Sequence, residues 1–485
     1  MKPLLRCIAS VVILLLIPLG LAAQHITLKT VPIPLGEQFQ ILPSRNLGMG
    51  SVHIAYDDPW LDPFTNPARA SAMDELRVFA LPTVYGETND ALGGRSFPIA
   101  AQIPGSRLFG TIAFAMQQVD NPNRFDWLPW QPGESVFREN ASSNVYAQAG
   151  LGVRLGRATA VGASYYHADL DAVDAVNLLY GQSIAIDQDG SVAEARVGLT
   201  HELGREQRLE AIVLRSDVDM THDVLYQEWT WADGQPNTRS WNELNEDRTI
   251  TWGAHLRYTQ PLGTQGARIG FIATGNTKAH PKIPNYNVVN IPRDPGNSTA
   301  FNFGVGLSSI TENTGYSMEL IFEPGRSHTW AYADTAISTP GGTIEPGGKT
   351  VDNQFRYGNW NLAVGLERNW KHAGFQLGVR MHQTRYSLDQ QNFLTDTRRE
   401  TDERWIEWSP SWGGVVKFAE FDLRYTGRFT AKGSPDAWFR GGIAFAEAAP
   451  AAGVDFVVGP TGPVSMPEFR VTMHRLTVSV PFRIR

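Results

Sequence analysis

From about residue 74 onward, apolar and polar side chains alternate at every second position over segments of roughly 10 to 15 residues. In the last segment, Leu476, Val478 and Val480 share one face, while Thr477 and Ser479 share the other. Alternation with period two is typical of β-strands that bury one face only. Strands of about 9–11 residues cross a bilayer at a tilt, whereas strands of soluble proteins usually have about 5–6 residues. The pattern therefore predicts an all-β chain of long strands.

The connections between these segments alternate between short and long. Seven short turns, rich in glycine and polar residues, fall at residues 103–106, 155–157, 204–206, 263–266, 312–315, 371–374 and 419–420. Seven long polar connections fall at about residues 120–142, 171–190, 221–247, 277–298, 326–356, 387–404 and 432–468. Tight periplasmic turns and long outer loops are the arrangement of outer-membrane barrels. Residues 74–485 are therefore predicted to form an antiparallel transmembrane β-barrel of about 16 strands, which begins near residue 76 and ends at Arg485.

Two alternatives to a 16-stranded barrel have to be weighed. The first strand pair, at residues 76–86 and 96–104, has the weakest pattern, and 14 strands would remain if either strand belonged to a plug. The strand pairs also recur about every 50 residues, which is the period of kelch propellers. A propeller blade has four short strands, however, whereas this chain shows two long strands per repeat and no recurring diglycine signature. The barrel is therefore favoured.

The first 23 residues have the pattern of a secretory signal peptide. Lys2 and Arg6 precede an apolar run at residues 8–19, and small residues follow at 20–23. The run of about 12 residues is shorter than the roughly 20 that a membrane-spanning helix needs. Cys7 is the only cysteine, so no disulfide is expected in the mature chain. Removing Lys2 and Arg6 from the 42 basic residues leaves 40 against 49 acidic residues, and this balance argues against a nucleic-acid partner.

Residues 24–73 separate the signal peptide from the first strand, are rich in proline and glycine, and lack long alternation. Three short motifs follow one another in this segment, namely Gly48-Met49-Gly50, Asp57-Asp58 and Asn66-Pro67-Ala68. In order and spacing they resemble the N-terminal region of the FadL-like outer-membrane barrels, a group that includes PorV- and PorQ-type proteins. Two positions depart from that pattern, Ser51 after the second glycine and Arg69 after Asn-Pro-Ala. The predicted strand number also exceeds the about 14 strands of the FadL type.

The resemblance implies that residues 24–73 fold inside the barrel as a hatch. It gives that role to Gly48, Gly50, Asp57, Asp58, Asn66, Pro67 and Ala68. These residue types suit a crowded lumen, because glycine permits positive φ and close backbone approach, and Asn and Asp side chains hydrogen-bond to turn backbone. Without the family likeness, the same residues would be interpreted as ordinary turn residues.

Charged side chains of both signs lie on the polar faces of the predicted strands. The candidate lumen-lining residues are Arg154, Arg196, His255, Arg257, Glu319, Glu367, Arg380 and Arg424. Two interpretations are open. The charges either form a selectivity lining for a polar solute, as in porins, or form ion pairs that pack against the hatch. The second interpretation is favoured.

No motif of a serine hydrolase, zinc protease or phosphate-binding loop is present, so neither an enzyme nor a cofactor or metal is expected. A surface protease or phospholipase would have to recruit His222 and Asp223, or His280. Five aspartates crowd one predicted outer loop: Asp169, Asp171, Asp174, Asp187 and Asp189. Their spacing fits no EF-hand, so a solvated acidic loop is preferred to a Ca²⁺ site.

Two functions follow from the resemblance. The first is passive transport of hydrophobic or amphipathic small molecules across the outer membrane, gated by the hatch, with the aromatic-rich loop 226–241 as a candidate outer apolar site. The second is a non-enzymatic accessory role in protein secretion or surface attachment, as in PorV-type proteins. The expected partners are the lipid and lipopolysaccharide of a Gram-negative outer membrane, with hydrophobic small molecules or a secretion-system component in addition. Transport is slightly preferred.

Overall fold

The computed structural model describes residues 38–87, 93–120, 141–173, 183–204, 206–232, 235–263, 266–280, 296–333, 335–433 and 469–482. An α-helical turn, α1 (Asp62–Thr65), and two 3₁₀ turns (Leu47–Met49 and Pro67–Ala72) come first. The strands are β1 (Leu76–Ala80), β2 (Thr83–Glu87), β3 (Gly93–Ile103), β4 (Leu108–Asp120), β5 (Ala141–Arg154), β6 (Thr159–Leu170), β7 (Ser183–Gly204), β8 (Gln207–Ala232), β9 (Gln235–Pro261), β10 (Ala267–His280), β11 (Gly296–Ile310), β12 (Thr314–Tyr332), β13 (Ile337–Thr339), β14 (Gly342–Ile344), β15 (Lys349–Asn369), β16 (Ala373–Asn392), β17 (Thr397–Lys417), β18 (Asp422–Gly433) and β19 (Phe469–Phe482). Within the described ranges, no helix is both long and apolar enough to cross a membrane.

The long strands form one closed antiparallel barrel. β1 and β2 both pair with β19 on one side and with β3 on the other, so the last strand meets the first. The ladder breaks between β1 and β2 because Pro82 and, on β3, Pro98 have no N–H to donate. Hydrogen bonds from Leu81 N–H to Pro98 O (2.8 Å) and from Leu476 N–H to Pro82 O (3.0 Å) continue the pairing across the break. Counted as one strand, β1 and β2 complete a barrel of 16 strands, which confirms the predicted number over 14.

Side chains alternate between the two faces of the barrel wall, as the sequence pattern predicts. On β19, Met473, Arg475 and Ser479 are buried inside, whereas Leu476 and Phe482 point outward. Outward apolar side chains surround the wall and include Ile112, Leu151, Val197, Val213, Leu256, Phe271, Phe303, Val364 and Leu377. A closed barrel satisfies its backbone internally, and an apolar outer band fits lipid. The protein is an outer-membrane β-barrel.

All seven predicted short turns lie between consecutive strands, and this prediction is confirmed. They join β3 to β4, β5 to β6, β7 to β8, β9 to β10, β11 to β12, β15 to β16 and β17 to β18. Short turns mark the periplasmic end of outer-membrane barrels. We therefore refer to this end of the wall as the periplasmic end and to the opposite one as the outer end.

Three of the predicted long loops are wrong, because most of their residues are in strands. Residues 221–247 belong to β8 and β9 except at 233–234, and residues 387–404 belong to β16 and β17 except at 393–396. Residues 326–356 belong to β12, β13, β14 and β15 except at 333–336, 340–341 and 345–348. Beyond the bilayer both faces of a strand meet water, so pairing continues without the apolar alternation on which the prediction relied. Other predicted features lie wholly or largely outside the described residues: the signal peptide, residues 24–37 of the predicted hatch, the loops 120–142, 277–298 and 432–468, and the terminal residues 483–485.

Residues 38–73 lie inside the barrel. Arg257 on β9 donates a hydrogen bond to Ile54 O (3.0 Å), and Arg475 on β19 donates one to Leu42 O (3.1 Å). The segment also contacts β4, β5, β6, β7, β15, β16, β17 and β18. Only a position in the lumen allows contact with the inner faces of strands all round the wall. We refer to residues 38–73 as the lumen segment.

Glycines of the wall allow the lumen segment to approach backbone to backbone. A Cβ atom on Gly378 would lie 2.1 Å from the N atom of Gly50, and a Cβ atom on Gly365 would lie 2.4 Å from the O atom of Met49. Gly162, Gly270 and Gly306 also lie against backbone atoms of the segment, and Gly198 lies against the side chains of Asn66 and Pro67. Any larger residue at these positions would displace the segment from the wall.

We expect heat-modifiable migration of the purified protein on a denaturing gel. A closed barrel keeps every backbone hydrogen bond within its wall and should therefore resist the detergent until the sample is boiled. The unboiled protein should then migrate faster than the boiled protein. Equal migration of both samples, together with partition into the soluble fraction, would contradict the barrel.

Gly378→Ala should destabilise the contact between wall and lumen segment, because the new methyl group would lie 2.1 Å from Gly50 N. Overpacking of this kind costs about 1–3 kcal/mol, so the thermal unfolding midpoint should fall. The matched control is Gly414→Ala on the neighbouring strand β17, where a Cβ atom meets nothing within 4 Å. An equal fall in both variants would show that the close approach is not the cause.

Candidate functional site

The two consecutive aspartates of the lumen segment have different partners. Asp58 is almost fully buried and organises the segment itself. Its carboxylate accepts a hydrogen bond from Ser44 Oγ (2.5 Å) and from the backbone N–H groups of Arg45, Asn46, Trp60 and Leu61 (3.0–3.1 Å). Because a carboxylate accepts several charge-assisted hydrogen bonds at once, Asp58 closes residues 44–61 into one compact loop.

The neighbouring Asp57 joins the segment to the wall. Its carboxylate oxygens lie 2.7 Å from Arg257 Nη2, 3.0 Å from Arg268 Nη1 and 3.3 Å from Arg69 Nη2, and they also pair with Arg208. Burial alone would raise the pKa of Asp57, but the guanidinium groups of Arg69, Arg257 and Arg208 hold this pKa well below its ordinary value. Asp57 is therefore ionised at neutral pH.

Two further carboxylates complete this group of charges. Glu210 accepts from Arg208 Nε (2.9 Å) and Arg257 Nη1 (3.3 Å), and Asp62 accepts from Arg69 Nη2 (3.1 Å). We refer to the seven residues as the buried ion cluster: Asp57, Asp62, Arg69, Arg208, Glu210, Arg257 and Arg268. Five of them are less than a tenth exposed, so each charge depends on its partners for stabilisation.

The other predicted hatch residues form the turns that position the charged residues of the buried ion cluster. Gly50 has a φ of +70° and ends the first 3₁₀ turn, and its N–H donates to Ser411 Oγ on β17 (2.9 Å). Gly48 faces Gln376, where a Cβ atom would lie 2.8 Å from Oε1. Positive φ and close approach both require glycine here.

The Asn66-Pro67-Ala68 motif begins the second 3₁₀ turn. Asn66 Oδ1 accepts from the N–H of Ala68 (3.1 Å), and Asn66 Nδ2 donates to Leu199 O and Glu210 Oε2 (3.3 Å each). Pro67 lies against wall glycine Gly162, and Ala68 is fully buried. The side chain of Asn66 therefore caps the turn and also contacts the wall.

Seven of the eight candidate lumen-lining residues contact the lumen segment. Arg154 donates to Ser71 O, Arg196 to Thr65 O, Arg257 to Ile54 O and Arg380 to Ser51 O; Glu319 accepts from the N–H groups of His53 and Ile54, Glu367 pairs with Arg45, and Arg424 lies over the ring of Trp60. The eighth, His255, hydrogen-bonds instead to Thr274 Oγ1 (2.7 Å). This geometry favours packing against the segment over a selectivity lining.

Sequence reasoning missed Asp62, Arg208, Glu210 and Arg268 as site residues. The alternation carried a signal for two of them, because Arg208 and Glu210 are two positions apart and share the inner face of β8. Arg69 stood out only as a departure from the family pattern, and the structure places it in the buried ion cluster. Asp62 carried no signal, since it lies in a single helical turn outside the alternating strands.

An apolar surface covers part of the lumen wall nearer the outer end. We define this inner apolar patch by its wall residues: Ala115, Tyr146, Leu170, Ile186, Val192, Val218, Met220, Val224 and Tyr226. Phe39, Ile41 and Leu42 of the lumen segment pack against it. A water-filled barrel usually has a polar lumen, so an apolar area on β4 to β8 is distinctive.

The predicted aromatic site at 226–241 is wrong in its placement on an irregular loop. Tyr226 faces inward from β8 and stacks on Trp241 of β9, with ring centroids 5.5 Å apart. The side chains of Trp229 and Trp231 lie outside the described part of the structure. Tyr226 extends the inner apolar patch towards the outer end instead.

Polar groups line the opposite wall, about half a turn away in the order of strands. His382 Nε2 on β16 lies 3.1 Å from Glu323 Oε2 on β12, and its Nδ1 lies 3.8 Å from Glu407 Oε2 on β17. Among the described residues, no group of three or more His, Cys, Asp or Glu side chains is arranged to hold a metal ion. The lumen wall above the segment is thus apolar on one side and charged on the other.

No family model and no curated protein matches the sequence. The solved structures to which the chain is similar include FadL-type outer-membrane transporters. A FadL homologue from Pseudomonas aeruginosa is 12% identical, with 91% of this chain and 99% of that chain covered and a TM-score of 0.41. The Ralstonia pickettii toluene transporter TbuX is 12% identical, with 90% and 97% covered and a TM-score of 0.39. The open form of the Escherichia coli ferric-catecholate import receptor Fiu is 9% identical, with 84% and 82% covered and a TM-score of 0.40. With sequence identities and TM-scores this low, these similarities do not identify a ligand for this chain.

Asp57→Asn should destabilise the protein by about 3–5 kcal/mol at neutral pH, because it leaves buried guanidinium groups without their shared carboxylate. The pKa of Asp57 is lowered in the folded state, so its contribution is complete above the unfolded pKa and is lost as the pH falls through the lowered value. The difference in thermal midpoint between wild type and variant should therefore shrink as the pH is lowered below about 4.

Two further variants control the Asp57 experiment. Arg268→Gln added to Asp57→Asn removes one excess positive charge and should restore part of the lost stability. Asp219→Asn, at an exposed pair with Arg248, should change the midpoint little. Equal losses in Asp57→Asn and Asp219→Asn would contradict the special role of the buried ion cluster.

Proposed function

We propose that this protein is a passive outer-membrane transporter for hydrophobic or amphipathic small molecules, and that residues 24–73 act as its hatch. The observation that carries the proposal is the inner apolar patch on the lumen wall. The patch now binds the apolar side chains of residues 38–42, and once these are displaced a hydrophobic molecule leaves water favourably on the same surface. The charged side of the lumen can accept the polar end of an amphipathic molecule.

The lumen segment is attached unevenly, and this supports a hatch that opens at one end. Residues 44–72 are fixed by Asp58 and the buried ion cluster. Residues 38–42 contact the patch through apolar side chains, and their polar contacts include those of Gln38 Nε2 to Ala172 O, of Gln117 Nε2 to Gln38 O, and of Arg475 to the carbonyls of Gln40 and Leu42. None of these contacts is an ion pair. Displacement of residues 38–42 would open space beside the patch while the ion cluster stays intact.

The chemistry within the proposed role is binding and release only. No covalent step is needed, because the patch lowers the free energy of the apolar part and the hatch controls access. The protein is accordingly proposed to be a non-enzyme.

One observation supports a second candidate, an accessory barrel for secreted proteins. At about 3.3 Å per residue, the 26 residues of β8 span roughly 85 Å, far more than a bilayer requires. The hairpin of β8 and β9 therefore extends well beyond the membrane, where a protein partner could contact its strand edges and its faces.

Val218→Gln should lower transport, because it places an amide without partners in the inner apolar patch. Such burial costs about 1–3 kcal/mol, so uptake of radiolabelled oleate by cells that express the variant should fall about tenfold. Ser216→Gln is the matched control, since it adds the same amide two positions away on the same face of β8 but outside the patch. Both variants should retain heat-modifiable migration.

Two outcomes would overturn the transport proposal. One is equal oleate uptake by cells with and without the wild-type protein, and the other is equal uptake through Val218→Gln and wild type. A stable complex with a secretion component in extracts of outer membranes, with no molecule extractable into organic solvent, would favour the accessory role instead.

A further inference from the structure

A cavity of about 450 Å³ lies between the lumen segment and the wall at the periplasmic end. Its lining combines the start of α1, the exit from the second 3₁₀ turn and the periplasmic ends of β15, β17 and β18. It is separated from the inner apolar patch by the body of the lumen segment. Its volume is in the range of small-molecule sites, about 300–1,000 Å³.

Arg424 on β18 lines this cavity and is only 4% exposed. Its guanidinium lies over the ring of Trp60, 5.3 Å from the centroid. Its Nε is buried without a hydrogen-bond partner, and no described carboxylate lies within ion-pairing distance of its guanidinium. Glu367, Asp58 and Asp422 attract the guanidinium only from a greater distance, and Arg45 repels it. A buried guanidinium without a directly bonded anion is costly, so this position is prepared for a negatively charged group that comes from outside the described chain.

The other cations of the lining are already compensated or hydrated. Arg45 pairs with Glu367 (3.0 Å), Arg69 with Asp62 (3.1 Å) and Arg77 with Asp422 (3.6 Å), while Lys417 is only half-buried. The lining contains five cations, Arg45, Arg69, Arg77, Lys417 and Arg424, and four anions, Asp62, Asp74, Glu75 and Asp422, and Glu367 outside the lining pairs with Arg45. A single negative charge is enough to pair with Arg424, whereas the four carboxylates of the lining would repel a dianion.

The shape of the site favours a planar anion with an apolar body. A guanidinium binds a carboxylate through two parallel hydrogen bonds, and Trp60 already covers one face of Arg424. Pro59, Pro63, Met73 and Val415 add apolar surface to the lining. Trp60 is held in place, since its backbone O accepts from Gln102 Nε2 (3.0 Å) and its ring packs on Phe79 (5.3 Å).

We propose that this cavity is a binding site for a small organic monocarboxylate. The carboxylate pairs with the guanidinium of Arg424, and the apolar body lies against Trp60 and Pro63. The site does not depend on the proposed transport function, because it lies on the periplasmic side of the lumen segment and binds whether or not a ligand crosses the barrel.

The test measures binding of benzoate to the purified full-length protein in a non-ionic detergent at neutral pH, by equilibrium dialysis of the radiolabelled compound. Benzamide, which has the same shape and no charge, serves as the first competitor, and inorganic phosphate serves as the second. We expect benzoate to bind at least tenfold more tightly than benzamide and phosphate, because only benzoate supplies both the single charge and the apolar body.

Arg424→Gln should weaken benzoate binding about tenfold or more, and Arg424→Lys should retain part of it. Lys371→Gln is the matched control: it removes one positive charge from the neighbouring β15–β16 turn, outside the lining, and should leave the affinity within twofold. Heat-modifiable migration verifies the fold of each variant. If Arg424→Gln does not fold, the comparison of benzoate with benzamide on the wild-type protein and the Arg424→Lys variant decides.

Three results would overturn the proposal. These are an affinity for benzoate that Arg424→Gln leaves unchanged, equal affinities for benzoate and benzamide, and displacement of benzoate by phosphate at equal concentration, which would mean an inorganic anion site. Failure of this site is distinct from failure of transport, since oleate uptake is measured in cells and through Val218 at the other end of the lumen.

Discussion

The placement of the lumen segment depends on the negative charge of Asp57. Its carboxylate holds four arginines that come from four different elements: Arg69 in the second 3₁₀ turn, Arg208 on β8, Arg257 on β9 and Arg268 on β10. In the interior, each of these guanidinium groups would be unfavourable without it. The wall glycines allow the segment to come close, but they attract nothing. The ion pairs of Asp57 attract the segment to β8, β9 and β10, while Glu319, Glu367 and Arg475 bind it to β12, β15 and β19.

The inner apolar patch lies nearer the outer end of the lumen, whereas the buried ion cluster and the cavity at Arg424 both lie towards the periplasmic end. Asp62 and Arg69 belong to the ion cluster and also line the cavity. The patch shares no residue with either of them. Binding at either end can therefore be altered by substitution without direct contact with the other end.

Much of the fold could be predicted from the sequence, because strand alternation and turn length are local properties. For this reason, the sequence was sufficient to predict which side chains of β19 face the lumen and where all seven short turns lie. The outer parts of β8, β9, β16 and β17 were not, since water on both faces removes the alternation. The Asp57-Asp58 pair was found by resemblance. The different roles of the two aspartates, however, depend on partners such as Arg268, which lies 211 residues after Asp57. No local pattern encodes such a pairing.

The sequence separations of the lumen segment's contacts constrain the order in which the protein folds. Asp57 meets partners 151, 200 and 211 residues further along the chain, and Arg475 meets Leu42 across 433 residues. Contacts of such long range form late, because the loops that join them must close first. The segment that is synthesised before any strand is thus anchored after most of them. Until then its aspartates stay hydrated, and the interior of the barrel must remain open to water while the wall assembles.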